Sequence, residues 1–318
     1  MSRTEGGFGL PRTRFARLTR RAALTATGAV LASALLAPGV AHAYTGYTVS
    51  WAGDNTYGQA NVPSALFAGA TDISAGYYHA LAVKNGGVLA WGRNYAGEST
   101  VPAAATTGVT KVAAGFGHSL ALKNGGVIAW GNNTAGEATV PVAATSGVVA
   151  IAAGAQFSAA LKSNGTVVTW GQGTTAPSVS NVKAISAGFH HLLMVKNDGT
   201  VVDWLYNGWS SVPNTTGLPI TAVAAGWTSH IAMSADGHAF VWDVSTAATR
   251  PMPATFGANV RAVAIGAAYA TVTHTNGGIE VVRLEDQFSV TPPTALQSGV
   301  DRAVMSVEPT NLWIVAVK

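Results

Sequence analysis

Eight histidines, a pair of adjacent acids and a scatter of large aromatic side chains are the residues of this chain that could do chemistry. Histidine is the usual general base and metal ligand near neutral pH. His79, His118 and His191 each stand three residues after a glycine, and the same place elsewhere in the chain holds Phe157, Ser229 and Tyr269. A place that accepts phenylalanine, serine and tyrosine is a packing position, so these histidines read as structural. His230, His238 and His274 lack the spacing that makes three or four ligands converge. No H-E-x-x-H, G-x-S-x-G, P-loop or EF-hand sequence occurs. The absence of cysteine excludes disulfides, thiolate metal sites and a thiolate nucleophile. Glu285-Asp286 and Asp243 read as solvated loop acids, and His190 beside His191 is the remaining pairing for a general base. The expectation is a protein that is not an enzyme, with no catalytic residue, metal or cofactor.

The aromatics carry more. Tyr, Trp and Arg dominate the energetics of surfaces buried by a partner, and their placement follows from a repeat. The stretch from Ala114 through Gly115-Phe116-Gly117-His118 to Trp130-Gly131 recurs, with its first glycine at 76, 115, 154, 188, 226 and 266. The matching tryptophans are Trp51, Trp91, Trp130, Trp170, Trp204 and Trp242, spaced 40, 39, 40, 34 and 38 apart. A period near 40 marks a repeat architecture. Each unit reads as a hairpin: alternating apolar residues such as Leu120 and Leu122, an Asn124-Gly125 or Asp198-Gly199 turn, then Val127 to Trp130. The Ala-Ala-Gly runs suit backbone crowding near an axis, and radially arranged sheets of about four strands make a β-propeller.

The ends supply one more unit. Trp313-Ile314-Val315-Ala316-Val317 reads as a first hairpin strand with nothing after it, and Thr48-Val49-Ser50-Trp51 reads as the missing second strand. The fold expected is therefore all-β, a seven-bladed β-propeller closed by pairing the N-terminal and C-terminal strands, which hides two edges. In such hairpins the residues after each first glycine and after each tryptophan emerge at one end. The expected partner-binding rim is Tyr57, Tyr78, Arg93, Tyr95, Gln156, His190, Tyr206, Trp209 and Trp227, with Trp209 in a loop after Trp204. Tyr77, Phe116, Phe189 and Trp227 fit this rim and also fit inward packing. The repeated tryptophans, on equivalent strands, read as a buried layer.

Residues 1–43 read as a secretion signal: six arginines within the first 21 positions, an apolar uncharged run over 22–38, and Ala41-His42-Ala43 for cleavage. Thr19-Arg20-Arg21-Ala22-Ala23-Leu24 has the features of a twin-arginine signal. Cleavage takes six of the 18 basic and one of the 14 acidic side chains, leaving 12 and 13 in a propeller domain over 44–318. That near-neutral remainder argues against nucleic acid, whose binding needs clustered Lys and Arg. Thr139 to Leu161 is uncharged and long enough to span a bilayer, but Pro141, Gly147 and Gly154 and its fit to the repeat argue against an anchor.

The Gly115-Phe116-Gly117-His118 step, Trp91-Gly92-Arg93-Asn94 with Gly97-Glu98, and Gly58-Gln59 resemble the regulator of chromosome condensation repeat. Gly136-Glu137-Ala138-Thr139-Val140-Pro141, Ser146-Gly147-Val148 and the short Thr175-Ala176-Pro177-Ser178 linker further resemble the family of secreted bacterial β-lactamase-inhibitory proteins of type II. The resemblance covers 44–318 and thins after Tyr206; Arg283 stands where the repeat calls for tryptophan. It implies a seven-bladed propeller that binds an enzyme through aromatic and polar side chains on one rim. The expected function is a secreted, monomeric, protein-binding propeller, an inhibitor of an extracellular or cell-surface enzyme of the β-lactamase or penicillin-binding class. The alternatives are a cell-wall or carbohydrate-binding propeller and, behind it, a propeller lyase.

Overall fold

The computed structural model describes residues 48–52, 55–66, 69–173, 178–205, 208–215, 218–250, 252–253, 256–287, 289–292, 296–300, 302–305 and 313–317. The segment read as a secretion signal lies outside them. Strand β1 (Thr48–Ala52) is followed by three sheets of three antiparallel strands. These are β2 (Ala70–Ala75), β3 (His79–Lys84) and β4 (Gly87–Gly92); β5 (Val109–Ala114), β6 (His118–Lys123) and β7 (Gly126–Gly131); and β8 (Val148–Ala153), β9 (Phe157–Lys162) and β10 (Val167–Gly171).

Three sheets of four strands come next. They are β11 (Val182–Ala187), β12 (His191–Lys196), β13 (Val201–Leu205) and β14 (Gly208–Ser210); β15 (Ile220–Ala225), β16 (Ser229–Ser234), β17 (Ala239–Asp243) and β18 (Thr249–Arg250); and β19 (Val260–Ile265), β20 (Tyr269–His274), β21 (Ile279–Arg283) and β22 (Ser289–Val290). In the last sheet β24 (Trp313–Val317) lies between β23 (Arg302–Met305) and β1, with Trp51 opposite Ile314. The result is an all-β chain of small, repeated antiparallel sheets.

The first strand of each sheet packs beside that of the next: β2 by β5, β5 by β8, β8 by β11, β11 by β15, β15 by β19 and β19 by β23, while β23 also lies against β2. Alternation along each strand divides its side chains between two neighbours. Leu81 and Val83 of β3 pack with Val112, Ala121 and Trp130 of the following sheet, whereas Ala80 and Ala82 pack on the other side with Leu66 and Trp91. The core is a series of apolar layers between sheets.

Local sequence sets the turns. Asn85-Gly86 and Asn124-Gly125 take φ of +51° and +74°, and +51° and +72°, the doubly left-handed turn that matches strand twist. Asp198-Gly199 departs from this reading: only Gly199 has positive φ, and Asp198 instead accepts the Thr200 N–H in a longer loop. The expected fourth strand is also missing from the first three sheets. There Pro63, Pro102 and Pro141 lead into 3₁₀ turns at Ser64–Leu66, Ala103–Ala105 and Val142–Ala144, since proline has no N–H to give a sheet ladder. The uncharged stretch to Leu161 is divided among one of these turns, β8 and β9, and among the described residues no helix is long and apolar enough to cross a membrane.

Candidate functional site

In the first two sheets the residue after the inner-strand glycine is positioned by a bond between sheets: Tyr77 N–H donates to the Gly115 carbonyl at 3.2 Å and Phe116 N–H to that of Gly154 at 3.2 Å. Glycine is required here because a Cβ on Gly76 would stand 2.2 Å from the Gly115 oxygen. The side chains that follow converge. Tyr77 and Phe116 have centroids 4.6 Å apart, Phe116 and Phe189 6.1 Å, and Phe189 and Trp227 stack at 4.1 Å with planes 3° apart. Tyr77 closes the group 6.4 Å from Trp227. Tyr77, Phe116 and Phe189 border a cavity of about 20 Å³ lined by the Ala-Gly steps of four sheets, room for one water. The two readings of these positions thus merge: Tyr77 is buried, and the other three rings are half-exposed on top of the packing they make.

Further out, the expected rim assembles in part. Tyr57 sits 5.0 Å from Tyr78 and 5.5 Å from Tyr95, both edge-on, and Tyr78 rests 4.5 Å from Tyr77. The Arg93 guanidinium lies 5.2 Å from the Tyr78 ring, 5.9 Å from that of Tyr95 and 5.3 Å from that of Phe116, within cation–π range. It is fixed there, Nε donating to Glu98 at 2.7 Å and Nη2 to the Phe116 carbonyl at 2.8 Å. Burial works to raise the Glu98 pKa, but backbone N–H groups and Arg93 outweigh it and hold the carboxyl below its ordinary value. Tyr95 is 80% exposed. His190 joins through Phe189 at 4.4 Å, and burial together with the nearby His191 pushes its pKa down.

Gln156 is half-buried at the equivalent place on the third sheet. Tyr206 lies outside the described residues. Trp209, expected in a loop, belongs to strand β14 opposite Trp204. A three-residue strand carries too few alternations to be read from sequence.

Trp91, Trp130, Trp170, Trp204 and Trp242 are buried as expected, and the first three reveal a role for the Gly-Glu or Gly-Gln step that motif reading missed. Trp91, Trp130 and Trp170 Nε1 donate to the backbone carbonyls of Gln59, Glu98 and Glu137 at 3.0, 2.9 and 2.8 Å. Ser119 and Ser158 Oγ donate to the Glu98 and Glu137 carbonyls as well. Because those hydroxyl protons are committed, the serines accept from histidine: His79 Nε2 to Ser119 at 2.9 Å and His118 Nε2 to Ser158 at 3.0 Å. The other nitrogen of each ring, Nδ1, is buried and unpaired. Protonating it would bury a charged donor with no acceptor, and burial accordingly lowers His79 to about 4 and His118 to about 3. These rings are structural, as the sequence indicates.

Residues 70–98, 109–137 and 148–174 match the regulator of chromosome condensation (RCC1) repeat. Among solved structures the chain is similar to Prp20p from Saccharomyces cerevisiae, with 16% identity over 88% of this chain and 92% of that one and a TM-score of 0.69. It is similar to yeast RCC1 (Prp20) in a second structure, bound by Kap60, at 15% identity over 97% of each chain and a TM-score of 0.68. It is also similar to human WBSCR16, at 20% identity over 78% and 87% and a TM-score of 0.60. No curated protein matches in sequence. Likeness at this identity is likeness of fold: an RCC1-like β-propeller carrying at least three copies of the repeat. It lends no support to the resemblance to β-lactamase-inhibitory proteins.

Proposed function

We propose that the chain is an exported, protein-binding propeller of seven blades, closed by the pairing of β1 with β24, which seats a partner on its aromatic end. The gathering of Tyr57, Tyr78 and Tyr95 around a fixed Arg93, with Tyr95 80% exposed, carries the reading. Rigid, clustered aromatics beside an arginine are what a binding surface needs at its centre, since little side-chain freedom is lost on contact. Yeast RCC1 (Prp20) is bound by Kap60 in one of the similar structures, so propellers of this kind bind proteins. The arginine-rich start and Ala41-His42-Ala43 support export, and a secreted enzyme is the partner class in view.

The test is capture from culture supernatant and cell envelope with wild type, with a Tyr57→Ala, Tyr78→Ala, Tyr95→Ala triple variant, and with Val142→Ala, which changes a side chain 87% exposed in the third 3₁₀ turn. The expected result is one protein held by wild type and by Val142→Ala. The triple variant should bind it at least about 100-fold more weakly, as loss of central aromatic anchors does. Its melting temperature should fall by a few degrees as the ring contacts are lost, while unfolding stays cooperative, so the lost binding is not lost folding. Retention on polysaccharide with no protein partner, or capture that the triple variant leaves unchanged, would overturn the reading.

A further inference from the structure

Two seams between sheets share a contact that a later seam replaces with a different one. From the first sheet to the second, and from the second to the third, a histidine Nε2 meets a serine Oγ across the seam. His191 on β12 occupies the same histidine position, but on the following sheet the serine's place is taken by His230 on β16. Between them stands Asp203 on β13, at the position held in the other repeats by Ala90, Ala129, Thr169, Val241 and Val281; on β21 the strand register puts Val282, and not the expected Arg283, at the tryptophan position. Two departures from the repeat, an acid and a histidine, meet the same imidazole.

Their geometry is that of a ligand set. His191 Nδ1 lies 3.0 Å from Asp203 Oδ2, and His230 Nε2 lies 3.2 Å from the same oxygen. All three side chains are buried, and their donor atoms fall within 4.8 Å of one another. A tetrahedral zinc centre with bonds of about 2.1 Å sets its ligand atoms roughly 3.4 Å apart. The two nitrogen-to-oxygen separations are already close to that, and small ring rotations close the remaining gap between the imidazoles. Among the described residues the ion-pair partners of Asp203 are these two imidazoles, so its buried carboxylate faces no lysine or arginine. A buried anion without a cation is costly.

We propose that His191, Asp203 and His230 form a binding site for a divalent transition metal of the Zn²⁺ class, clamping the fourth sheet to the fifth. Two imidazoles and one carboxylate are a borderline nitrogen and oxygen set that suits Zn²⁺ and Co²⁺ and disfavours the hard Ca²⁺ and Mg²⁺. Coordination through the nitrogens that face Asp203 requires each ring's proton to sit on its other nitrogen. At His230 that nitrogen is Nδ1, which now accepts the Gly226 N–H at 3.3 Å; once it is protonated, the Gly226 N–H keeps its other acceptor, the Ser229 carbonyl at 3.1 Å. A water completes the tetrahedron. The site is independent of the aromatic end, and the tyrosine triple variant leaves it intact.

The experiment is titration of metal-stripped protein, purified without a polyhistidine tag, with Co²⁺ alone and then Zn²⁺ alone. Wild type should take up one Co²⁺ per chain with visible ligand-field absorption, lose that absorption to Zn²⁺, and melt about 5 °C higher in Zn²⁺ at a hundredfold excess over Kd. His230→Ser restores the side chain that Ser119 and Ser158 supply at the first two seams, so its fold has a precedent within the chain. It should bind at least about 100-fold more weakly and show no such absorption. Should that variant not fold, His230→Ser with Asp203→Ala rebuilds the ordinary seam completely and serves the same purpose. Absence of Co²⁺ absorption in wild type, or uptake that survives these substitutions through surface groups such as His238, would overturn the assignment.

Discussion

Lowering the pH from 7 to 5 should destabilise the fold by about 4 kcal/mol through His79 and His118 alone, out of the roughly 5–15 kcal/mol that holds a typical domain together. Each ring is neutral in the native state because Nε2 serves a serine and Nδ1 is buried without an acceptor. In the unfolded chain both titrate near the ordinary histidine value of about 6.5. Folded values of about 4 and about 3 lie below it. Between these limits the unfolded state binds more protons, so stability is complete above about pH 6.5 and falls with pH until each folded-state value is reached. For His79 the loss levels off near 4, and for His118 it continues towards 3. Glu98 and Asp243 are held below their ordinary values, so their contribution is lost only at still lower pH. Denaturant midpoints measured at pH 7, 6 and 5 check this directly. His118→Phe supplies the control, since Phe157 fills the same position on the next sheet. That variant should lose about 2 kcal/mol less over the same range. A pH-independent midpoint, or equal acid sensitivity in His118→Phe, would show that these rings find a proton acceptor in the native state.

Such histidines are legible in sequence as packing residues because each occurs in a repeat that supplies its own comparison. The same redundancy makes the hairpins, the Asn124-Gly125 turn and the buried tryptophans legible, since six similar units must bury similar faces. The aromatic end is legible for a related reason: antiparallel pairing forces residues after the glycine and after the tryptophan to the same end, so Tyr57, Tyr78 and Tyr95 can be grouped without coordinates. What the repeat cannot convey is where it is locally broken. His191, Asp203 and His230 are 12 and 27 residues apart and meet through strand pairing and then sheet packing. No motif spacing encodes that encounter. Trp209 was misplaced because β14 is only three residues long, and the outer strands of the first three sheets yielded to prolines whose effect on pairing depends on which edge they meet.

Gly115→Ala should be among the most damaging glycine substitutions in the first three repeats, costing at least about 4 kcal/mol, a size reserved for severe clashes or buried unpaired groups. The added Cβ would stand 2.4 Å from His118 Cε1, 2.7 Å from His118 Nδ1 and 2.6 Å from the Gly154 carbonyl oxygen. None of these can yield cheaply. His118 is buried and tied to Ser158, and the Gly154 carbonyl holds the Phe116 N–H that aims the aromatic ring. Relief requires separating the second and third sheets along the inner strands, which would open the apolar layer that contains Leu120, Ile151 and Trp170. Gly136→Ala isolates the backbone part of the effect: at φ +84° its new Cβ meets nothing within 4 Å, so only left-handed strain remains, about 1–2 kcal/mol. Urea denaturation of the two variants therefore separates crowding from conformation. The expected order is a small shift of midpoint for Gly136→Ala and, for Gly115→Ala, a large shift together with altered near-ultraviolet circular dichroism from the displaced Phe116, Tyr77 and Phe189. Comparable costs for the two would mean that the inner strands have room to spread, and the close contact between neighbouring sheets would then not be what aligns the aromatic rings.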